Sequence, residues 1–177
     1  PKMLQRIWEY NPLTRTGGDG QIPTAWIPYN TSGWTIHSFS SQEAGGEGPV
    51  NGYARTIIDG DPNTFWHSRW SSAGATAPHW IVVDMGTVQP VDGFVFTQRQ
   101  SLSRNIRRIR VEISSDNVNW TLVKGSPFEL TQTAPAQQKN LTEVLNGRYI
   151  RLTIASNADV FDGSQFAALA EFTALHP

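Results

Sequence analysis

Residues 59–70 read Asp59-Gly60-Asp61-Pro62-Asn63-Thr64-Phe65-Trp66-His67-Ser68-Arg69-Trp70. The first half of this stretch places hard oxygen donors at alternate positions of a turn, which is the arrangement that a cation site needs. The second half places two tryptophans, a histidine and an arginine within five positions, which suits a surface that contacts a ligand. We therefore expect one loop that binds a cation at its start and meets a ligand at its end, held in place by the rest of the chain.

The composition is that of a single domain built from short strands. A chain of 177 residues suffices for one well-packed core. Its 8 Phe and 7 Trp, with 15 Gly and 11 Pro, are typical of short strands joined by many turns. Because the chain has no cysteine, it forms no disulfide, no thiol nucleophile and no zinc–thiolate site. It starts at Pro1-Lys2-Met3 with no signal peptide, and we expect it to be a trimmed piece.

The charge balance bears on the partners of the protein. Lys and Arg number 14 against 15 Asp and Glu, for a formal net charge of -1. Nucleic acids and anionic membranes both call for a basic surface, so we expect neither as a partner. No apolar run reaches the roughly 18 residues that a membrane helix needs, and we expect no membrane insertion.

Hydrophobic periodicity predicts strands. Residues 108–113 and 149–154 alternate aliphatic with polar side chains, as half-buried antiparallel strands do. Residues 80–84 and 93–97 are short apolar runs typical of strands buried on both faces. The turn signal Ser115-Asp116-Asn117 predicts a hairpin between residues 107–114 and 119–124. Gly-rich residues 42–52 predict a long exposed loop.

No segment of ten or more residues carries a helical stripe, although Leu141, Val144 and Leu145 could form one helical turn before Asn146-Gly147. The predicted fold is all-β, an antiparallel β-sandwich of the jelly-roll type. We expect the domain to cover residues 34–177. Residues 1–33 would be an N-terminal extension, strap or linker, with a short strand possible at residues 7–10.

The turn at residues 59–64 is open to two interpretations from its residues alone. Asp59, Asp61 and Asn63 match the start of an EF-hand loop, but Thr64 stands at position six and Trp70 at position twelve, which excludes an EF-hand. The turn is either an ordinary Asp-Gly turn or a cation site that remote oxygens complete.

Residues 57–68 also resemble the signature of the discoidin, or factor V/VIII type C, domain. Four further stretches fit that family in order, at residues 80–86, 114–120, 148–152 and 170–172. Together they cover residues 34 to 175. The resemblance implies a galactose-binding-domain-like jelly roll with a structural Ca²⁺ or Na⁺ near the chain ends. The implied cation ligands are the carboxylates of Asp59 and Glu171, oxygens of Asp61 and Thr64, and the carbonyls of Thr56 and Ala170.

Within that fold, the chain is most similar to the galactose-binding branch of carbohydrate-binding module family 32, which is found beside bacterial sialidases and galactose oxidase. The ligand residues of that branch fall on Glu47, His67, Trp70, Arg99 and Phe166. Because the loop at residues 45–52 is a few residues longer here, Glu43 is an alternative to Glu47. These residue types suit a pyranose, whose C–H face packs on an aromatic ring while its hydroxyls need fixed donors and acceptors.

The resemblance implies a non-catalytic module that binds galactose-type sugars on glycans. Such a module would be monomeric and attached to other domains of a secreted, cell-surface or periplasmic bacterial protein. Other functions stay open: a domain that adheres to a protein or lipid surface, or a structural spacer in a glycoside hydrolase. The acidic loop at residues 43–52 disfavours anionic lipid. A hydrolase would need two nearby carboxylates, and Glu47 has no evident partner for that role.

Several of these residues also have a purely structural interpretation. Taken alone, His67 fits a structural histidine, and Arg69 fits a solvated side chain. Trp66, Trp80 and Trp120 fit the core of the predicted sandwich.

Overall fold

The computed structural model describes residues 26–177, which form ten β-strands and three short 3-10 helices joined by loops. The strands are β1 (Ile27–Pro28), β2 (Thr35–Phe39), β3 (Trp66–His67), β4 (His79–Thr97), β5 (Arg108–Ser114), β6 (Thr121–Leu122), β7 (Phe128–Glu129), β8 (Gln137–Ile154), β9 (Ala168–Leu169) and β10 (Glu171–His176). The 3-10 helices are Thr31–Gly33, Ala54–Ile58 and Asn157–Asp159. None of the helices in this part of the chain has the length and apolarity needed to cross a membrane.

Eight of the strands form one antiparallel sheet, in the order β1-β10-β4-β8-β5-β6, with β2 also paired to β4 and β7 to β5. Strands β3 and β9 form a separate pair. The two longest strands, β4 and β8, run alongside each other, and their register shifts between Asp84 and Gln89 and again between Val91 and Gly93. Such irregularities bend a strand pair. The bends curl the sheet on itself, which gives the antiparallel β-sandwich of jelly-roll type that the sequence predicts.

The core between the two halves of the sheet is aliphatic and aromatic. The alternating residues of β5 and β8 are buried as predicted: Ile109, Val111, Ile113, Ile150, Leu152 and Ile154. Phe94 stacks on Phe172 with ring centroids 6.0 Å apart, and Phe96 lies 5.4 Å from the same ring. Trp66 is fully buried, which confirms its structural interpretation. The predicted hairpin forms as β5 and β6, with Glu112 opposite Leu122.

Two predictions of local structure are wrong. Residues 141–145 lie in β8 and form no helical turn. Leu141 is buried and Val144 is 39% exposed, which is the alternation of a strand. Trp80 and Trp120 are only partly buried, because they lie on the outer face of the sheet instead of in the core.

The stretch before residue 34 contributes to the sheet. In β1, Ile27 pairs with His176 of β10, and the Thr31 hydroxyl donates to the Ile58 carbonyl at 2.8 Å. Residues 26–33 therefore lie against the sandwich. The remainder of the predicted extension, including the strand suggested at residues 7–10, lies outside the described residues, and the boundary at residue 34 stays a prediction.

Candidate functional site

The short β3–β9 pair brings two separate loops together at one end of the sandwich. His67 of β3 pairs with Ala168 of β9. Just beyond this pair, the Ser68 amide donates to the Ala167 carbonyl at 2.9 Å, and the Ala167 amide donates to the Ser68 hydroxyl at 3.1 Å. This ladder places Phe166 beside His67, with ring centroids 6.2 Å apart.

Glu47 connects the remaining predicted ligand residues. One of its carboxylate oxygens accepts the indole N–H of Trp70 at 3.0 Å, and the other lies 3.6 Å from the Arg99 guanidinium. Trp70 is 42% exposed, so part of its ring faces solvent while the hydrogen bond to Glu47 fixes its N–H edge. The charges of Glu47 and Arg99 both act on the His67 ring, which joins this group to the His67–Phe166 pair. The five residues predicted for the ligand site therefore come together, from four segments that are distant in sequence.

Glu43, the alternative to Glu47, has a different environment. It is 1% exposed. The sequence predicted that the whole loop at residues 42–52 is exposed, and this prediction is wrong at Glu43. Its carboxylate accepts the backbone N–H groups of Trp70 at 2.8 Å and Ser71 at 2.9 Å. Burial opposes its charge, but these hydrogen bonds, together with one from Gly46, hold the pKa of Glu43 below its ordinary value. Glu43 thus anchors the backbone that carries Trp70, and Glu47 is the acid beside the exposed ring.

His67 is a buried histidine whose neutral form has a fixed tautomer. It is 3% exposed, and burial lowers its pKa. The Ser68 carbonyl and Glu47 oppose this shift, whereas Arg99 and Arg104 add to it. Nδ1 lies 2.6 Å from the Ser68 carbonyl oxygen, which can only accept, so Nδ1 carries the proton. In the neutral ring Nε2 is then a hydrogen-bond acceptor.

Arg99 is held by contacts that the sequence did not reveal. Its guanidinium lies 4.0 Å above the centre of the Phe65 ring, so Phe65 supports the site although it was not among the predicted ligand residues. Burial lowers the pKa of Arg99, with Glu47 opposing and Arg104 reinforcing the shift. Arg104 is itself paired with Asp162 at 2.6 Å. No signal in the sequence marks Phe65 for this role.

The arrangement offers an aromatic plate edged by hydrogen-bonding groups. Trp70 and Phe166 supply ring faces, Arg99 supplies planar donors, and Glu47 and His67 supply acceptors. A ligand that fits must have a flat apolar face and several hydroxyls around its rim. The site has no second carboxylate facing Glu47 among the residues brought together here.

The turn at residues 59–64 is organised by its own side chains. The Thr64 hydroxyl donates to an Asp59 carboxylate oxygen at 2.7 Å and lies 3.0 Å from the Asp61 carbonyl. The Asp61 carboxylate accepts the Asn63 amide within the turn. The Gly60 amide donates to Glu171 at 3.2 Å, which links this turn to the start of β10 across 111 positions.

Asp59 and Glu171 have the character of a carboxylate pair that could hold a cation. Burial and the neighbouring Asp59 carboxylate raise the pKa of Glu171 to about 8. Its Oε1 atom is buried without a hydrogen-bond partner among the described residues. Residues 26–177 contain no cluster of three acidic, histidine or cysteine side chains suited to a metal. A cation here would therefore rely on this pair and on hydroxyl and carbonyl oxygens, a donor set that Ca²⁺ accepts.

Two curated relatives that resemble this chain are enzymes several times its length. A sialidase of Micromonospora viridifaciens is 33% identical over 139 residues, which is 77% of this chain and 20% of the sialidase. A galactose oxidase of Gibberella zeae is 34% identical over 119 residues, which is 64% of this chain and 16% of the oxidase. The chain thus spans at most a fifth of the length of these curated relatives.

Solved structures share the fold. The C-terminal domain of a chitobiase from Bacteroides fragilis has a TM-score of 0.74 at 32% identity, over 83% of this chain and 95% of that domain. The family 32 carbohydrate-binding module of Clostridium perfringens NanJ, solved with galactose, has a TM-score of 0.70 at 21% identity, over 86% of this chain and 100% of that module. The family model of the F5/8 type C domain matches residues 35–172 of this chain. The chain belongs to the F5/8 type C, or discoidin, domain family.

Proposed function

We propose that this chain is a non-catalytic carbohydrate-binding module that takes galactose-type sugars on glycans, at the site formed by Glu47, His67, Trp70, Arg99 and Phe166. The observation that carries the proposal is the contact of one carboxylate, Glu47, with both the exposed Trp70 ring and Arg99. The galactose complex of a family 32 module with the same fold supports it. We place the module in a larger secreted or surface protein, in keeping with the sialidase and galactose oxidase it resembles.

Galactose is the proposed sugar because of its axial hydroxyl at C4. That hydroxyl leaves one face of the ring apolar, and this face can pack on Trp70 or Phe166. The axial oxygen can then meet the donors of Arg99 or the acceptor nitrogen of His67. A hexose has about 12 non-hydrogen atoms, and at roughly 0.3–0.4 kcal/mol each the binding free energy is about 4–5 kcal/mol. The expected dissociation constant lies between hundreds of micromolar and millimolar.

We also propose a structural Ca²⁺, with Na⁺ as the alternative, held by the carboxylates of Asp59 and Glu171. Oxygens of Asp61 and Thr64 and the carbonyls of Thr56 and Ala170 would complete its shell. The buried, unpaired Oε1 of Glu171 beside Asp59 supports this site. The ion would supply positive charge between the two carboxylates and would take no part in sugar chemistry.

The test is a titration of the chain with galactose and with its C4 epimer glucose, followed by NMR or calorimetry. We expect saturable binding of galactose, weaker binding of glucose, and loss of both in Trp70→Ala and Arg99→Ala. Phe39→Ala is the matched control, because Phe39 is an aromatic of similar exposure (38% against 42%) that is not part of the site. The melting temperature of Trp70→Ala should stay close to wild type, since Trp70 is a surface side chain. No saturable binding on any glycan would instead favour a structural spacer, and liposome binding would favour adhesion.

A further inference from the structure

A groove on the outer face of the sheet shares no lining residue with the loop site. Its volume is about 390 Å³, within the range of small-molecule sites. Its lining includes Trp80, Val82, Arg110, Glu112, Trp120 and Arg151. Trp80 and Trp120 were predicted for the core, but the structure leaves both half-buried on the outer face of the sheet, where they line this groove.

The groove is built on rigid strands. Val82 of β4 lies opposite Arg151 of β8, and Arg151 lies opposite Glu112 of β5, so the three form one row across the sheet. Trp80 and Arg110 both lie opposite Thr153, in the next row on the same face. Side chains on the middle of a sheet hold their positions better than side chains on loops. The groove is therefore a preformed surface.

Hydrogen-bond donors outnumber acceptors in the groove. Glu112 is its acidic residue, and its two oxygens already accept from Arg151 at 2.8 Å and Arg110 at 3.1 Å. Two guanidiniums against one carboxylate leave a local positive charge and several N–H groups for a ligand. The indole N–H groups of Trp80 and Trp120 have no hydrogen-bond partner among the described residues. The Arg151 guanidinium lies 4.2 Å over the Trp120 ring, which fixes both groups.

The position in the sheet limits what can bind. Strand β4 is paired with β2 and β8 at this point, and β8 with β4 and β5, so the backbone groups are already hydrogen-bonded. A peptide cannot add here as an extra strand, because strand addition requires a free edge. The ligand must be recognised by ring faces and side-chain donors. A saccharide offers both an apolar ring face and a rim of acceptors, and the positive charge favours one with a carboxylate.

We propose that this groove is a second glycan-binding site, which takes a carboxylate-bearing oligosaccharide such as a hexuronic-acid chain. The groove binds its ligand independently of the loop site. This proposal does not depend on galactose binding at the loop site. The rings of Trp80 and Trp120 pack against sugar rings, and Arg110 and Arg151 pair with the sugar carboxylate.

The probe is a hyaluronan hexasaccharide, and its carboxyl methyl ester serves as the uncharged control. Both are titrated into the wild-type chain and into Arg110→Gln, Trp120→Ala, Trp70→Ala and Arg107→Gln, with binding followed by calorimetry and NMR. Arg110 has a half-exposed side chain (50%), so its replacement should leave the fold intact. Arg107 is an exposed arginine outside the groove and is the matched control.

We expect the acid to bind and the ester to bind at least tenfold more weakly, by about the value of one hydrogen bond to a charged group. Arg110→Gln and Trp120→Ala should each weaken binding of the acid about tenfold and leave galactose binding as it is in wild type. Trp70→Ala and Arg107→Gln should bind the acid normally. The proposal is overturned if the acid does not bind saturably, if acid and ester bind alike, or if Trp70→Ala abolishes binding of the acid.

Discussion

Two glutamates four positions apart, Glu43 and Glu47, serve different purposes. Both lie in the same acidic, Gly-rich segment, and the sequence could not decide which of them belongs to the ligand site. The structure separates them by environment. Glu43 is buried and accepts backbone N–H groups of residues 70 and 71, whereas Glu47 is partly exposed and contacts the Trp70 indole and Arg99. Which side chain points inward depends on the path of the loop, and no local pattern encodes that path.

This difference predicts that the same substitution weakens sugar binding at both positions but lowers stability only at Glu43. Glu43→Gln removes a buried charge. Its single amide oxygen can still accept from Trp70 and Ser71, which share one carboxylate oxygen, but its NH2 group cannot accept the backbone N–H of Gly46. We expect a loss of about 1–3 kcal/mol in the free energy of unfolding, with weaker sugar binding because the support of Trp70 is weakened. Glu47→Gln should leave stability within about 0.5 kcal/mol of wild type and reduce galactose binding. Urea unfolding and a galactose titration on both variants measure this. Equal stability of the two variants would contradict the assignment.

At the scale of the elements, the strands with period-two alternation were predictable because alternation is a local signal. Residues 108–113 and 149–154 fall in β5 and β8 with the expected faces buried. The predicted strands at 80–84 and 93–97 are in fact parts of one bent strand, β4, since only the pairing with β8 carries the chain through the intervening residues. Trp80 and Trp120 were misplaced for a related reason. A large aromatic residue is usually buried. The face that Trp80 takes depends on strand parity within the finished sheet, and Trp120 lies in the loop just before β6.

The pair Asp84 and Arg148 fastens β4 to β8 where the first register shift begins. Arg148 donates to both Asp84 oxygens, at 2.8 and 2.9 Å, and the Asp84 carboxylate also accepts the Gly86 amide. The hydrogen bonds from Arg148 lower the pKa of Asp84 below its ordinary value, against the effect of burial. Because the pKa of Asp84 is lower in the folded than in the unfolded chain, its carboxylate stabilises the fold at pH values above the unfolded-state pKa of about 4. This stabilisation is lost as the pH falls through the folded-state pKa.

We therefore expect Arg148→Met to be less stable than wild type at neutral pH and closer to it in acid. The gap in free energy of unfolding should shrink below about pH 4, because wild type loses the Asp84 contribution there and the variant does not have it. Urea unfolding across the acid range measures the gap. Arg107→Met serves as a control, since Arg107 is an exposed arginine with no acid partner among the described residues. A gap that stays constant down to about pH 2 would argue against the pair.

For the whole molecule, the ligand residues come from separate loops that only the folded sandwich unites. Glu47, Arg99 and Phe166 are far apart in sequence, and neither periodicity nor spacing places them together. The resemblance to the galactose-binding branch of carbohydrate-binding module family 32 supplied that placement; the five residues lie together in the structure, and their role in binding stays a prediction. Phe65 was missed because its role is to support Arg99 from below, and a support of that kind carries no motif of its own.

The proposed calcium site is also a property of the whole molecule, because it joins the turn at residues 59–64 to β10. An ion that binds only the folded state stabilises it, by about 2.7 kcal/mol at a hundred times the dissociation constant. For a domain of this size that corresponds to a rise of about 5–10 °C in melting temperature. It also holds together segments more than a hundred residues apart, whose closure is costly for a flexible chain.

We expect EDTA to lower the melting temperature of wild type, and excess calcium to restore it. Glu171→Gln should abolish this response, because it removes one of the two carboxylates that face the ion. Without metal, the same variant should be no less stable than wild type, since it relieves the repulsion between Asp59 and Glu171 and an amide still satisfies the Gly60 amide. Calorimetric scans in EDTA, calcium and sodium-free buffer separate calcium from sodium. If wild type melts at one temperature in all three, the two carboxylates hold a proton between them and not a cation.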